Sequence, residues 1–136
     1  MGGAAVLLGR KETLDQIRYW NRVALESERP PHREPSRIAR ALAMTHLAIY
    51  EAFRGTAPAS YRSYLVDPPA PARDAGPEAA MAVAAHTVLT GLYPEQTARL
   101  DAALQWAGLD GAGITAGSAH GLAVGRAVLA AGMPPA

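Results

Sequence analysis

His46, His86 and His120 are the side chains of this 136-residue sequence best suited to proton transfer or ligand binding. Arg18, Arg22, Arg37 and Arg40 are those best placed to hold an anion. A histidine titrates near neutrality and ligates metals, but a metal centre needs several ligands converging at defined spacing. The sequence contains no His-x-x-x-His, no Glu-x-x-His and no cluster of Asp and Glu. His46 falls on an apolar face and reads as a core histidine with a hydrogen-bond partner. His86 and His120 are each alone on their helices, and His32 sits among prolines. Asn21 has apolar neighbours, and a buried amide must be paired. Phosphate or oxyanion binding needs Arg, Lys and backbone amides to converge. The four arginines lie at helix starts and on polar faces, where solvation is the expected state. Gly-x-Ser-x-Gly, Walker and Rossmann patterns are absent, and Ser118 falls inside a helix rather than at a strand-to-helix turn. No catalytic, cofactor-binding or metal-ligating residue is assigned.

The elements that carry these side chains are helices. Thr13 with Gln16 has the form of a capping box and predicts a helix to about Ser27, with Leu14, Ile17, Asn21, Ala24 and Leu25 on one stripe and Trp20 beside it. Pro30, Pro31 and Pro35 end it. Ser36 then caps a helix to Arg54, with Ile38, Leu42, His46, Ile49 and Phe53 inward and Gly55 as its stop. That helix is apolar nearly all round and is expected to be the central, wrapped one. From Thr56 to Gly76 four prolines, Tyr61 and Tyr64 predict a long loop pinned to a surface. Pro77 opens a third helix to Leu92, with Met81, Ala84, Ala85, Val88 and Leu92 inward. Pro94 opens a fourth, along which Thr97, Leu100, Leu104 and Ala107 align before Gly108 and the Asp110-Gly111 turn. A fifth runs from about Ile114 to Ala131.

Gly113, Gly117, Gly121 and Gly125 recur at strict four-residue spacing along that fifth helix. An interior Gly costs about 0.5–1 kcal/mol of helix stability relative to Ala, so the ridge implies a neighbouring helix packed almost backbone to backbone. His120 and Arg126 in the same segment argue against a membrane dimer of this pattern. The expected fold is therefore all-α, about five helices. Residues 1–12 and 132–136 read as tails, and 13–131 as a single helical domain. Packing or interaction roles fall to the four glycines, Trp20, Asn21 and His46.

Bulk properties bound the function. Hydrophobic residues make up 49% of the chain with a single Phe, so the core relies on close backbone approach rather than large side chains. Net charge is +1 with no basic block, which gives nucleic acid no footprint. Absence of Cys excludes thiol catalysis and thiolate metal sites. No stretch reaches the roughly 20 apolar residues needed to span a bilayer, and residues 1–9 lack a basic leader region. The sequence as written reads as soluble and cytoplasmic, and its Arg, Ala, Gly and Pro content as bacterial.

An ordered set of segments resembles one family. Trp20-Asn21-Arg22-Val23-Ala24-Leu25-Glu26 is followed by Ser36-Arg37, then by Arg40-Ala41-Leu42-Ala43-Met44 with His46, Ala48 and Tyr50-Glu51-Ala52. Tyr61-Arg62 with Tyr64-Leu65, Pro77-Glu78-Ala79-Ala80, Ala84-Ala85-His86 with Val88-Leu89, Leu100 to Leu104 and Gly121 to Val128 follow in turn. Together they resemble the N-terminal helical region of bacterial vanadium-dependent haloperoxidase-like proteins, within the type 2 phosphatidic acid phosphatase superfamily. The resemblance implies a helical scaffold packed against a catalytic bundle, and some members of the family are exported. It also implies an oxyanion pocket for vanadate or phosphate, built from Lys-x6-Arg-Pro, Pro-Ser-Gly-His and Ser-Arg-x5-His motifs C-terminal to the matched region.

Three segments imitate those motifs. Lys11 and Arg18 have the first spacing, but Tyr19 replaces the Pro. Ser36-Arg37 has Ala43 where the His belongs, and Gly117-Ser118-Ala119-His120 has the wrong residues around its Ser. The first expectation is thus a non-catalytic N-terminal domain or fragment that binds no cofactor itself, vanadate belonging to a complete member. Its partner is the catalytic bundle, in cis or in trans as one chain of a split enzyme. A second expectation is a free-standing module that dimerises or binds a partner helix through its glycine ridge.

Overall fold

The computed structural model describes residues 2–28, 34–58, 60–109 and 111–132, with 2–12 as backbone alone. Five α-helices follow one another: α1 (Gly2–Ser27), α2 (Pro35–Thr56), α3 (Pro77–Leu92), α4 (Thr97–Trp106) and α5 (Ile114–Gly132), with a 3-10 turn at Pro94–Gln96 before α4. No strand occurs among the described residues. His32 with Pro30 and Pro31, Asp110 and the side chain of Lys11 lie outside the described residues.

Helix ends follow local chemistry with three corrections. α1 starts at Gly2, so Thr13 and Gln16 are interior and form no capping box. The Gln16 amide instead donates to Ala107 O at 3.0 Å while its carbonyl accepts Trp20 Nε1 at 3.1 Å. α2 starts at Pro35 rather than after Ser36, since a proline loses nothing at a position where the N–H would have no helical partner. Gly55 lies inside its last turn, and Arg54 there complements the helix dipole.

The wrapped helix is α3, not α2. Ala79, Ala80, Met81, Ala82, Ala84, Ala85, Val88 and Leu89 are all essentially inaccessible, and α1, α2, α4 and α5 all contact α3. From Ala79 to Leu92 it carries no formal charge, whereas α2 bears Arg37, Arg40, Glu51 and Arg54. The buried stripe of α2 is also rotated from the expected one. It runs Ala41, Met44, Thr45, Ala48, Glu51, Ala52 and Gly55 with Ile49, which is buried as expected, while Ile38, Leu42, His46 and Phe53 are half-buried. Small residues let the backbones approach, so the alanine face rather than the larger side chains meets α3.

The same principle governs α5. A Cβ at Gly117 would come within 3.0 Å of Gly76 O on the entry to α3, and one at Gly121 within that distance of Ala80 O. Gly125 lies against Thr87, and all three glycines are buried. Gly113 precedes the helix with φ +79°, where its carbonyl accepts Gly76 N at 2.9 Å and Gly117 N at 2.7 Å. The ridge is thus occupied by α3 of the same chain.

α1 and α4 run antiparallel and cap each other. Gln96 Nε2 donates to Ser27 O at 2.7 Å near the end of α1, while Tyr19 Oη donates to Ala103 O at 2.6 Å near the end of α4. Each bond satisfies a carbonyl that helix termination leaves exposed. Trp20, fully buried with Tyr19 edge-on at 5.4 Å, anchors α1 in the core.

Candidate docking face

The most heavily constrained irregular segment is the connection from Ala57 to Gly76, and the last two turns of α2 constrain it. Glu51 is 1% exposed, on the buried stripe of α2. Its Oε1 accepts Ser63 Oγ at 2.6 Å and its Oε2 accepts the Tyr64 backbone N–H at 2.8 Å, with Arg54 Nη1 at 3.5 Å. A buried carboxylate is stable only when its lone pairs are filled in this way. Arg54 Nε donates to Tyr61 O at 3.0 Å, Tyr50 Oη to Arg62 O at 2.6 Å, and Ala72 N to Gly55 O at 2.8 Å.

This scaffold turns aromatic groups outward. Tyr61 stacks obliquely on Phe53 at 5.9 Å and Tyr64 on Tyr50 at 5.6 Å, with the Arg62 guanidinium over the Tyr64 ring. Tyr61 remains 47% exposed, Tyr64 69% and Val66 completely. Two loop carbonyls, Tyr61 O and Arg62 O, are already bonded to α2, so covering the face would not leave them unpaired. Beside it, Ile17, His46, Ile49, Tyr50, Phe53 and Met81 line a mostly apolar recess of about 280 Å³. The sequence flagged the two tyrosines but missed Glu51, whose signal is a carboxylate in register with Ala41, Met44, Ala48 and Gly55.

The histidines are dispersed. His46 Nε2 donates to Asn21 Oδ1 at 2.8 Å, joining α2 to α1. His86 Nε2 donates to Asp101 Oδ1 at 2.7 Å, joining α3 to α4 beside an open groove lined by Val83, Leu104, Leu122 and Arg126. His120 is buried against Gly55 of α2. Among the described residues no three His, Asp or Glu side chains come together as a metal site, and no helix is long and apolar enough to cross a membrane.

The arginines are equally scattered. Arg37 pairs with the buried Glu28 at 3.2 Å and lies over Tyr93, Arg40 reaches Gly132 O, and Arg99 bonds Ser27 Oγ at 2.6 Å. Each of these three bonds closes a helix end.

Comparison with known proteins adds one match: residues 12–105 fit the family model of the vanadium chloroperoxidase N-terminal domain. That span exceeds two-thirds of the chain. The chain belongs to this family. Neither the curated proteins nor the solved structures gave a match. The matched span includes α2, α3, the pinned loop and almost all of α4, but not α5 with its glycine ridge. Vanadate, which the family name implies, is an oxyanion that requires several cationic donors around one point. Among the described residues Arg37, Arg40 and Arg99 are engaged by Glu28, Gly132 O and Ser27 Oγ, an arrangement that does not fit that group.

Proposed function

We propose that this chain is non-catalytic and packs against a catalytic helical bundle, carried by the same polypeptide or by a separate chain. The supporting observation is the rigidly held loop that presents Tyr61, Tyr64 and Val66 to solvent. Ordered, exposed apolar clusters on a small domain mark interaction surfaces. The family match supports this choice of occupant, because a family defined as the N-terminal domain of a chloroperoxidase suggests a remainder for it to pack against. No vanadate chemistry is assigned to this chain, since none of the three oxyanion-pocket motifs occurs in its sequence.

Purified chain supplied with vanadate is expected to oxidise no halide and hydrolyse no chromogenic phosphate ester. A catalytic bundle bearing the three motifs, encoded beside this chain or fused to it, is expected to co-sediment with it. Tyr64→Asp with Val66→Asp is expected to abolish that complex while helicity is unchanged. Turnover by the pure chain that disappears in His120→Ala overturns the non-catalytic reading, and unaltered association of the double variant overturns the docking face.

A further inference from the structure

Among the described residues two buried polar side-chain atoms have no hydrogen-bond partner, Thr45 Oγ1 and His120 Nε2. A helical threonine hydroxyl can rotate to the carbonyl four residues back. A histidine ring wedged in a slot has no such freedom, so His120 is the anomaly. Its Nε2 and Cε1 occupy the space that a side chain at Gly55 would fill, both within 3.0 Å of the Cβ position. His120 is 6% exposed, and the seam it closes joins α5 to the last turn of α2. Gly55 O in turn holds Ala72 N, which tethers the far end of the tyrosine-bearing loop.

We propose that His120 and Gly55 form a proton-operated latch. With the imidazole neutral, the ring sits in the Gly55 slot and α5 is closed on α2. A proton on His120 expels the ring, opens the seam and frees the loop at Ala72.

The surroundings leave an imidazolium uncompensated. On α2 the nearby charges are Arg54, which repels it, and Glu51, already bound by Ser63, Tyr64 N and Arg54. On α3 the residues against α5 here are Ala79, Ala80 and Val83; Glu78 lines a recess with Asp15 and Gln16, and His86 is bonded to Asp101. Next to the contact, the loop offers the backbone of Ala72, with Arg73 and Asp74 exposed. Burial, then the Arg54 guanidinium, hold the ring below its ordinary value of 6.5. The closed state therefore binds fewer protons than the open one. Opening becomes easier as pH falls below 6.5, by about tenfold per pH unit for one proton, until the ring titrates in place. Its consequence for docking rests on the function proposed above, but the latch itself does not.

NMR of the whole chain tests it through two signals, the His120 ring titration and the hydrogen-exchange protection factor of the Ala72 amide. The ring is expected to titrate below 6.5, and Ala72 protection to fall about tenfold per pH unit below that point. In His120→Leu, protection is expected to be independent of pH over the same range. Titration at or above 6.5, or an unchanged fall in His120→Leu, overturns the latch. Should that variant fail to fold, His120→Gln replaces it and the wild-type ring titration still decides. A working latch combined with unaltered bundle association in the Tyr64→Asp, Val66→Asp variant would sink the docking face alone.

Discussion

Glu51 of α2 accepts the Tyr64 backbone N–H at 2.8 Å from a position that is itself 1% exposed. One carboxylate thus serves the core and the surface together, because it fills a place on the buried stripe while fixing the exposed loop. Glu51→Ala leaves the Tyr64 N–H and Ser63 hydroxyl without their acceptor. Stability is expected to fall by about 1–3 kcal/mol in urea denaturation. Tryptic cleavage after Arg62 is expected to accelerate well beyond that of wild type.

Two glycines separate close approach from backbone conformation. Gly121 sits against Ala80 O with a helical backbone, so Ala there gains helix propensity but forces α5 off α3. A net loss of about 1–3 kcal/mol is expected, as for other overpacked cores. Gly108 has φ +71° with nothing within 4 Å of a Cβ. Gly108→Ala is expected to lose only the left-handed penalty, about 1–2 kcal/mol. Denaturant melts of both variants and of the double mutant should show additive losses, since the sites share no contact.

The buried pair Tyr93 and Glu28 gives an alkaline signature. Tyr93 Oη donates to Glu28 Oε1 at 3.1 Å. Burial, and next that hydrogen bond to a carboxylate, push the phenol up to about 12. The folded phenol keeps its proton while the unfolded one loses it near 10, so stability is intact below pH 10 and declines as pH rises toward 12. Absorbance titration should show one tyrosine ionising about two units late, and Tyr93→Phe should remove that late phase.

His46 and Asn21 join α2 to α1 through a single side-chain bond at 2.8 Å. A double-mutant cycle with Asn21→Ala and His46→Ala is expected to yield a coupling of about 0.5–1.5 kcal/mol. Thermal melts of the four proteins supply the measurement, and a coupling near zero would show that the bond adds nothing to the folded state.

Much of the scaffold was legible because helices are local. Proline at first turns, glycine past last turns and apolar periodicity placed α3, α4 and α5 within a few residues. The start of α1 was misread because a capping-box pattern at Thr13 and Gln16 carries no sign that helix already precedes it. α2 was taken as the central helix because its apolar residues surround the axis in projection. Charge placement and small-residue contact with α3 decide otherwise, and both depend on partners distant in sequence.

The amino-acid sequence by itself determined that this chain is helical and that α5 must meet another backbone, since four spaced glycines are unfavourable without a neighbour. It also carried the likeness to the vanadium haloperoxidases. Only the tertiary structure decided that the neighbour is α3 of the same chain and that Glu51 holds the loop. It also decided that His120 rests in the slot of Gly55. Those pairings join residues far apart along the chain, and their register is set by how closely the helices approach, a quantity local propensity does not contain.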